Sequence, residues 1–142
     1  MWWYHALTMF AGSIILQVFA MPVLMADRPA HVYFSVTQGW LGAAMGAVMV
    51  ALGGLTHPMP WWAWLLCGVV AVVSSLGYRW QILVTDREYL HDMIPHHSMA
   101  ILTSRARLSS PNPLVARLAE QIAVTQKREI GEMRAMLANK LV

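Results

Sequence analysis

Three apolar runs without a single Asp, Glu, Lys or Arg constrain this chain more than any other feature: Ala6–Met25, Val36–Leu55 and Trp61–Tyr78. A hydrocarbon layer about 30 Å thick needs about 20 helical residues to cross it. The first two runs meet that length, and the third gains it from Arg79, whose aliphatic stem can snorkel to the interface. An apolar content of 58% with only 12% charged residues over 142 positions excludes an ordinary soluble domain. The expected architecture is all-α, with three transmembrane helices over residues 1–84 and a separate helical region over 85–142. The first run reads as a span and not a cleaved leader, because Met1-Trp2-Trp3-Tyr4-His5 lacks the basic residues of a signal peptide.

Charge placement sets the expected orientation. Every charged side chain falls in the Asp27-Arg28 loop or from Arg79 onward, whereas the N-terminus and the His57-Pro58-Met59-Pro60 turn carry none. With Arg28, Arg79 and Arg87 flanking the spans on one side only, the positive-inside rule predicts a bacterial-type inner membrane protein with its N-terminus outside and its C-terminal region in the cytoplasm. Trp2, Trp3, Tyr4, Trp61, Trp62 and Trp64 form one aromatic belt, and Tyr33, Phe34, Tyr78 and Trp80 the opposite one. The net charge of +3 then suits anionic lipid headgroups. No interleaved basic and aromatic pattern points to nucleic acid.

Several smaller features read as packing. Cys67 lies within the third run and reads as a small buried thiol. Gly42 and Gly46 give the second span a face that another helix can approach closely, within the chain or between chains. Gln17 and Gln38 are expected to hydrogen-bond between helices, and His5, His31 and His57 lie at predicted span ends, where an interfacial ring is the ordinary role. His57 with Met59 is only a weak hint of an outer-face soft-metal site.

Beyond the spans, Thr85-Asp86-Arg87-Glu88 fits a capping box, although the absence of Gly or Pro before it leaves open whether the third span runs straight on. Ser109-Ser110-Pro111 stops the next helix, and Asn112-Pro113 starts another. An antiparallel helical hairpin over about Asp86–Leu108 and Pro113–Leu141 is expected. At helical periodicity Leu90, Met93, His97, Ile101, Ser104 and Leu108 form one stripe, and Val115, Leu118, Ile122, Thr125, Glu129, Met133 and Met136 the other.

The chemistry concentrates on those stripes. Met93, His96 and His97 at i, i+3 and i+4 place a thioether and two imidazoles on one side of a helix, around Pro95, which removes a backbone hydrogen bond. His97 and Glu129 are both mid-stripe and at comparable distances from the turn, so they are expected to face each other. A carboxylate on an apolar face requires such a partner. Thioether and imidazole together favour Cu(I) or Ag(I), while participation of Glu129 moves preference toward Cu(II), zinc or iron. The alternative is a structural His–Glu pair with methionine filler, serving membrane assembly. A third reading, a di-metal oxidase, draws on Glu88-x-x-His91 with Glu129 doubled in a homodimer, but Glu88 and His91 lie off the stripe. No nucleophile set suggests another enzyme. A hairpin this short buries little apolar surface alone, so a homodimer or higher oligomer is expected, with the dimer favoured.

Met93-Ile94-Pro95-His96-His97-Ser98-Met99-Ala100, followed by Gln126-Lys127-Arg128-Glu129-Ile130-Gly131-Glu132-Met133, resembles the Met-Ile-Pro-His-His-x-x-Ala and Gln-x-x-Glu-Ile-x-x-Met signatures of the "domain of unknown function 305" family. The resemblance covers about Asp86 to Met136, with the spans similar more loosely to the family's membrane-anchored branch. It implies a ferritin-like helical fold and copper or silver binding, with Met93, His96, His97 and Met133 as ligands and Glu129 as ligand or supporting partner. Copper-linked members tend to be exported and soluble, often with repeated motifs. A single copy on a chain whose charges place it inside implies instead either a cytoplasm-facing site for reduced copper or a merely structural His/Met cluster.

Overall fold

The computed structural model describes residues 2–139, all of whose regular elements are helical. Three helices are long and apolar enough to cross a membrane: α1 (Trp2–Met25), α2 (Val36–Gly54) and α3 (Trp61–Arg79). Two more follow, α4 (Asp86–Arg105) and α5 (Pro113–Ala138). The chain divides into two compact units, one comprising α1 as far as Met21 with Ser35–Val84, the other Pro22–Phe34 with the residues from Thr85 on.

In the first unit α2 is the central helix, packed by α1 on one side and α3 on the other. The Gly42/Gly46 face serves α1 of the same chain. A Cβ added at Gly42 would lie 3.0 Å from Ile14 Cα, and one at Gly46 would lie 2.8 Å from Phe10 Cδ2 and 3.1 Å from the Phe10 carbonyl oxygen. Only glycine permits that approach. α1 widens to a π-type turn over Leu16–Ala20, where Met21 N–H reaches back to the Leu16 carbonyl. That turn stands directly before Pro22, which has no N–H to continue the ladder. Trp2 and Trp62 meet edge to face at 5.5 Å, so the starts of α1 and α3 lie side by side. Gln38 is buried, but its side-chain carbonyl oxygen has no hydrogen-bond partner, as is also true of the Thr37 hydroxyl.

The end of α3 resolves the junction that the sequence leaves open: the helix stops. Gln81 and Leu83 adopt φ of 53° and 64°, a left-handed conformation that side-chain-bearing residues enter at a cost of about 1–2 kcal/mol. Local bonds hold it. Trp40 Nε1 donates to the Ile82 carbonyl at 2.8 Å, Ile82 N–H donates to the Gly77 carbonyl at 2.9 Å, and the Trp40 ring occupies the space that a Cβ at Gly77 would fill.

In the second unit, α4 and α5 form the hairpin. The Thr85 hydroxyl accepts from Glu88 N–H at 3.3 Å, and Asn112 Oδ1 accepts from Leu114 N–H at 3.0 Å with Pro113 in the first helical turn. Both starts follow the capping logic of the sequence. α4 ends at Arg105, not at Leu108, and the expected end of α5 at Leu141 lies outside the described residues. The core is Leu90, Ile94, Ile101, Ile130 and Met133, with Tyr33, Met93 and Leu137 packed against it.

Candidate metal centre

The buried face of α4 shares Leu90, Ile101 and Ser104 with the expected stripe and departs from it on the side of Ile94, Pro95 and Ser98. Leu90, Ile94, Pro95, Ser98, Ile101 and Ser104 are buried, whereas Leu108 is exposed and lies beyond the helix. On α5 the buried positions are Ala119, Ile130 and Met133, while Val115, Leu118 and Met136 are exposed. The reason lies in the segment before α2. Ser98, fully buried, has its hydroxyl 2.6 Å from the Asp27 backbone nitrogen, which donates to it, and 3.0 Å from His31 Nδ1. Segment 22–34 therefore shields the small Pro95–Ser98 side of α4, and the burial maximum shifts with it.

His97 and Glu129 consequently sit at the flank of the core. They face each other as expected: His97 Nδ1 lies 3.1 Å from Glu129 Oε2, with side chains 22% and 34% exposed. The approach has the distance of an ion pair but not the angle of a hydrogen bond, so Nδ1 is a buried nitrogen with no hydrogen-bond partner. Half-exposed pairs of this kind contribute about 0–1 kcal/mol to stability. Met133 belongs to the buried core and Met93 packs against it, while His96 is exposed. Among the described residues no group of three or more His, Cys, Asp or Glu side chains comes together as a metal site. His97 and Glu129 are thus a pair of nitrogen and oxygen donors that only thioethers, His96 or a second chain can complete. Glu88 and His91 are not gathered with Glu129 into such a group; His91 instead stacks on Tyr33 at 5.0 Å.

Sequence reasoning missed His31. It is a buried member of the hairpin unit, 8% exposed, and not an interfacial ring. Its pKa is lowered below the usual imidazole value, first by burial and then by the Arg134 guanidinium; Asp27 opposes the shift and Arg28 adds to it. The Asp27 carboxylate is itself almost fully covered and ion-paired with Arg105, with Arg28 Nε at 3.6 Å. Arg28, Arg105, Lys127 and Arg134 gather with Asp27 and His31 around one recess of about 160 Å³. The only available signal was the lone acidic residue at the end of an apolar run, since a carboxylate there requires a cation.

Residues 85–140 match the family described as "Domain of unknown function (DUF305)". The chain is 36% identical over 69 residues to an uncharacterised protein of Acanthamoeba polyphaga mimivirus, a match that spans 48% of this chain and 45% of that protein. The chain therefore covers less than half of that curated relative. No solved structure matches the chain.

Proposed function

Since residues 85–140 form a domain that belongs to the DUF305 family, we propose that this protein is an integral membrane metal-binding protein. It holds a soft transition-metal ion, Cu(I) foremost and Ag(I) as its analogue, for sequestration, handover or sensing. The observation that carries this reading is the His97–Glu129 pair: a buried imidazole nitrogen 3.1 Å from a carboxylate oxygen without hydrogen-bond geometry. Two ligands bound at about 2.0–2.2 Å to one tetrahedral ion stand about 3.3–3.6 Å apart, so a small opening of the 3.1 Å approach would let the pair share an ion. Met93 and Met133 supply the thioethers, and exposed His96 is the position at which an ion enters from solvent. When bound, the ion would be held by these imidazole, carboxylate and thioether side chains as cargo, and it would supply no catalytic step. Glu129 makes zinc or iron the alternative cargo.

The membrane is the inner one, with the N-terminus outside and the hairpin in the cytoplasm, as Arg28, Arg79 and Arg87 argue. Anionic lipid headgroups suit the cationic recess of Arg28, Arg105, Lys127 and Arg134. Two copies associate through the hairpin. The Gly42/Gly46 face is used within the chain, whereas Leu114, Val115 and Leu118 leave an apolar strip of α5 exposed.

A second reading is a structural assembly protein in which the His97–Glu129 pair sets helix register. It is favoured by the lack of a three-membered His, Cys, Asp or Glu group among the described residues. Elemental analysis of the full chain purified from metal-replete cells separates the two. Copper that falls by one ion per chain in His97→Ala supports the metal reading; the same metal content in parent and variant supports assembly.

A further inference from the structure

Away from the hairpin, the connection between α2 and α3 brings two imidazoles and two thioethers together. His5 and Met9 stand one turn apart on α1, His57 and Met59 lie in the turn after α2, and all four line one cavity of about 70 Å³. The His5 and His57 rings are 4.4 Å apart between centroids, with their planes inclined at 33°. The thioethers are seated on two consecutive glycines at the end of α2. A Cβ added at Gly53 would lie 2.9 Å from Met9 Sδ, and one at Gly54 would lie 3.0 Å from Met59 Sδ. Any other residue at either position would displace a sulfur.

We propose that His5, Met9, His57 and Met59 form a second site for a soft monovalent ion, Cu(I) or Ag(I). The donor set argues for that class: imidazole and thioether suit Cu(I), and no carboxylate lines the cavity to favour a hard divalent ion. Local hydrogen bonding also prepares a ligand. Thr56 Oγ1 donates its one proton to the Gly53 carbonyl at 3.0 Å, so the same oxygen accepts from His57 Nδ1, 3.0 Å away. With Nδ1 protonated, His57 Nε2 carries the free lone pair, the arrangement by which a second partner fixes the tautomer of a metal-ligating histidine. Gly53 anchors this too, since its carbonyl accepts from His57 N–H at 2.9 Å. Both imidazoles are exposed, which gives an ion a route in. The ordinary alternative is a pair of interfacial rings with methionine packing and no affinity for metal. The inference rests on α1 and the α2–α3 turn alone and stands or falls separately from the hairpin reading.

Silver titration of the detergent-solubilised full chain, with its methionine methyls labelled with carbon-13, tests it directly. Met9→Leu and Met59→Leu assign two signals. We expect both to shift and saturate together in the parent and in His97→Ala alike, at one ion per chain in the latter. In His5→Ala/His57→Ala the affinity read from these signals should fall at least tenfold. Gly53→Ala, which improves helix propensity while crowding Met9 Sδ, should weaken the same site without loss of helicity by circular dichroism. Met9 and Met59 signals that stay fixed while silver binds elsewhere, or that shift equally in the double histidine variant, overturn the proposal. Loss of both shifts in His97→Ala also overturns it, since the sites would then not be distinct.

Discussion

His31 Nδ1 lies 3.0 Å from the hydroxyl of Ser98, a serine with no exposed surface on the inner side of α4. Through that serine, which also accepts from the Asp27 backbone, segment 22–34 is bound to the hairpin. Because the pKa of His31 is lowered in the folded protein, the unfolded chain takes up a proton that the folded one resists. The contribution of His31 to stability is thus complete above the ordinary imidazole value of 6.5 and is lost as the pH falls from there through the folded pKa. We expect the unfolding temperature of the full chain, followed by circular dichroism, to fall as the pH is lowered below 6.5. In His31→Asn, which keeps a polar partner for Ser98, part of that slope should vanish; an unchanged slope would assign it to other groups.

The ion pair of Asp27 with Arg105 gives a second test. Asp27 is only 4% exposed, so Arg105→Ala leaves a covered carboxylate with the more distant, exposed Arg28. A destabilisation of about 1–3 kcal/mol is expected from denaturant unfolding. Asp27→Asn/Arg105→Ala should recover part of it, and a double variant as unstable as the sum of the singles would show no coupling.

Hydropathy made the three apolar helices legible to within a few residues, and capping chemistry at Thr85 and Asn112 located the starts of α4 and α5. The facing of His97 and Glu129 was legible as well, because an acidic residue on an apolar face requires a partner. Three things were not. The break after α3 uses left-handed Gln81 and Leu83, which no local glycine signals and which Trp40, distant in sequence, helps to hold. The shift of the hairpin's buried face depends on Ser98, a polar residue off the expected stripe that two long-range contacts bury. The His5–His57 approach needs the pairing of α1 with the α2–α3 turn, which no spacing encodes.

Helix packing in the first unit predicts a contrast between glycines. Gly46→Val places a side chain against the Phe10 ring and backbone, whereas a Cβ at Gly12 meets nothing within 4 Å. Overpacking of this kind costs about 1–3 kcal/mol. Gly46→Val should lower the unfolding temperature of the detergent-solubilised chain and Gly12→Ala should not; equal effects would show that α1 and α2 do not meet at Gly46.

Self-association through the exposed strip of α5 predicts that Leu118→Gln, or Leu114→Gln with it, converts a concentration-dependent dimer into a monomer by light scattering. A parent chain that is monomeric at every concentration would contradict the pairing.

The proposed metal centre is tested most directly by thermal unfolding of the parent and His97→Ala with and without added Cu(I). An ion that binds only the folded state raises the unfolding temperature by mass action, by an amount equivalent to about 2.7 kcal/mol at a hundredfold excess over its dissociation constant. Because a second soft-metal site is proposed on α1 and the α2–α3 turn, both proteins should carry His5→Ala/His57→Ala as background. In that background the account predicts a clear copper-dependent rise for the chain with His97 intact and its loss in His97→Ala. An equal copper response in the two, or none in either, would contradict it.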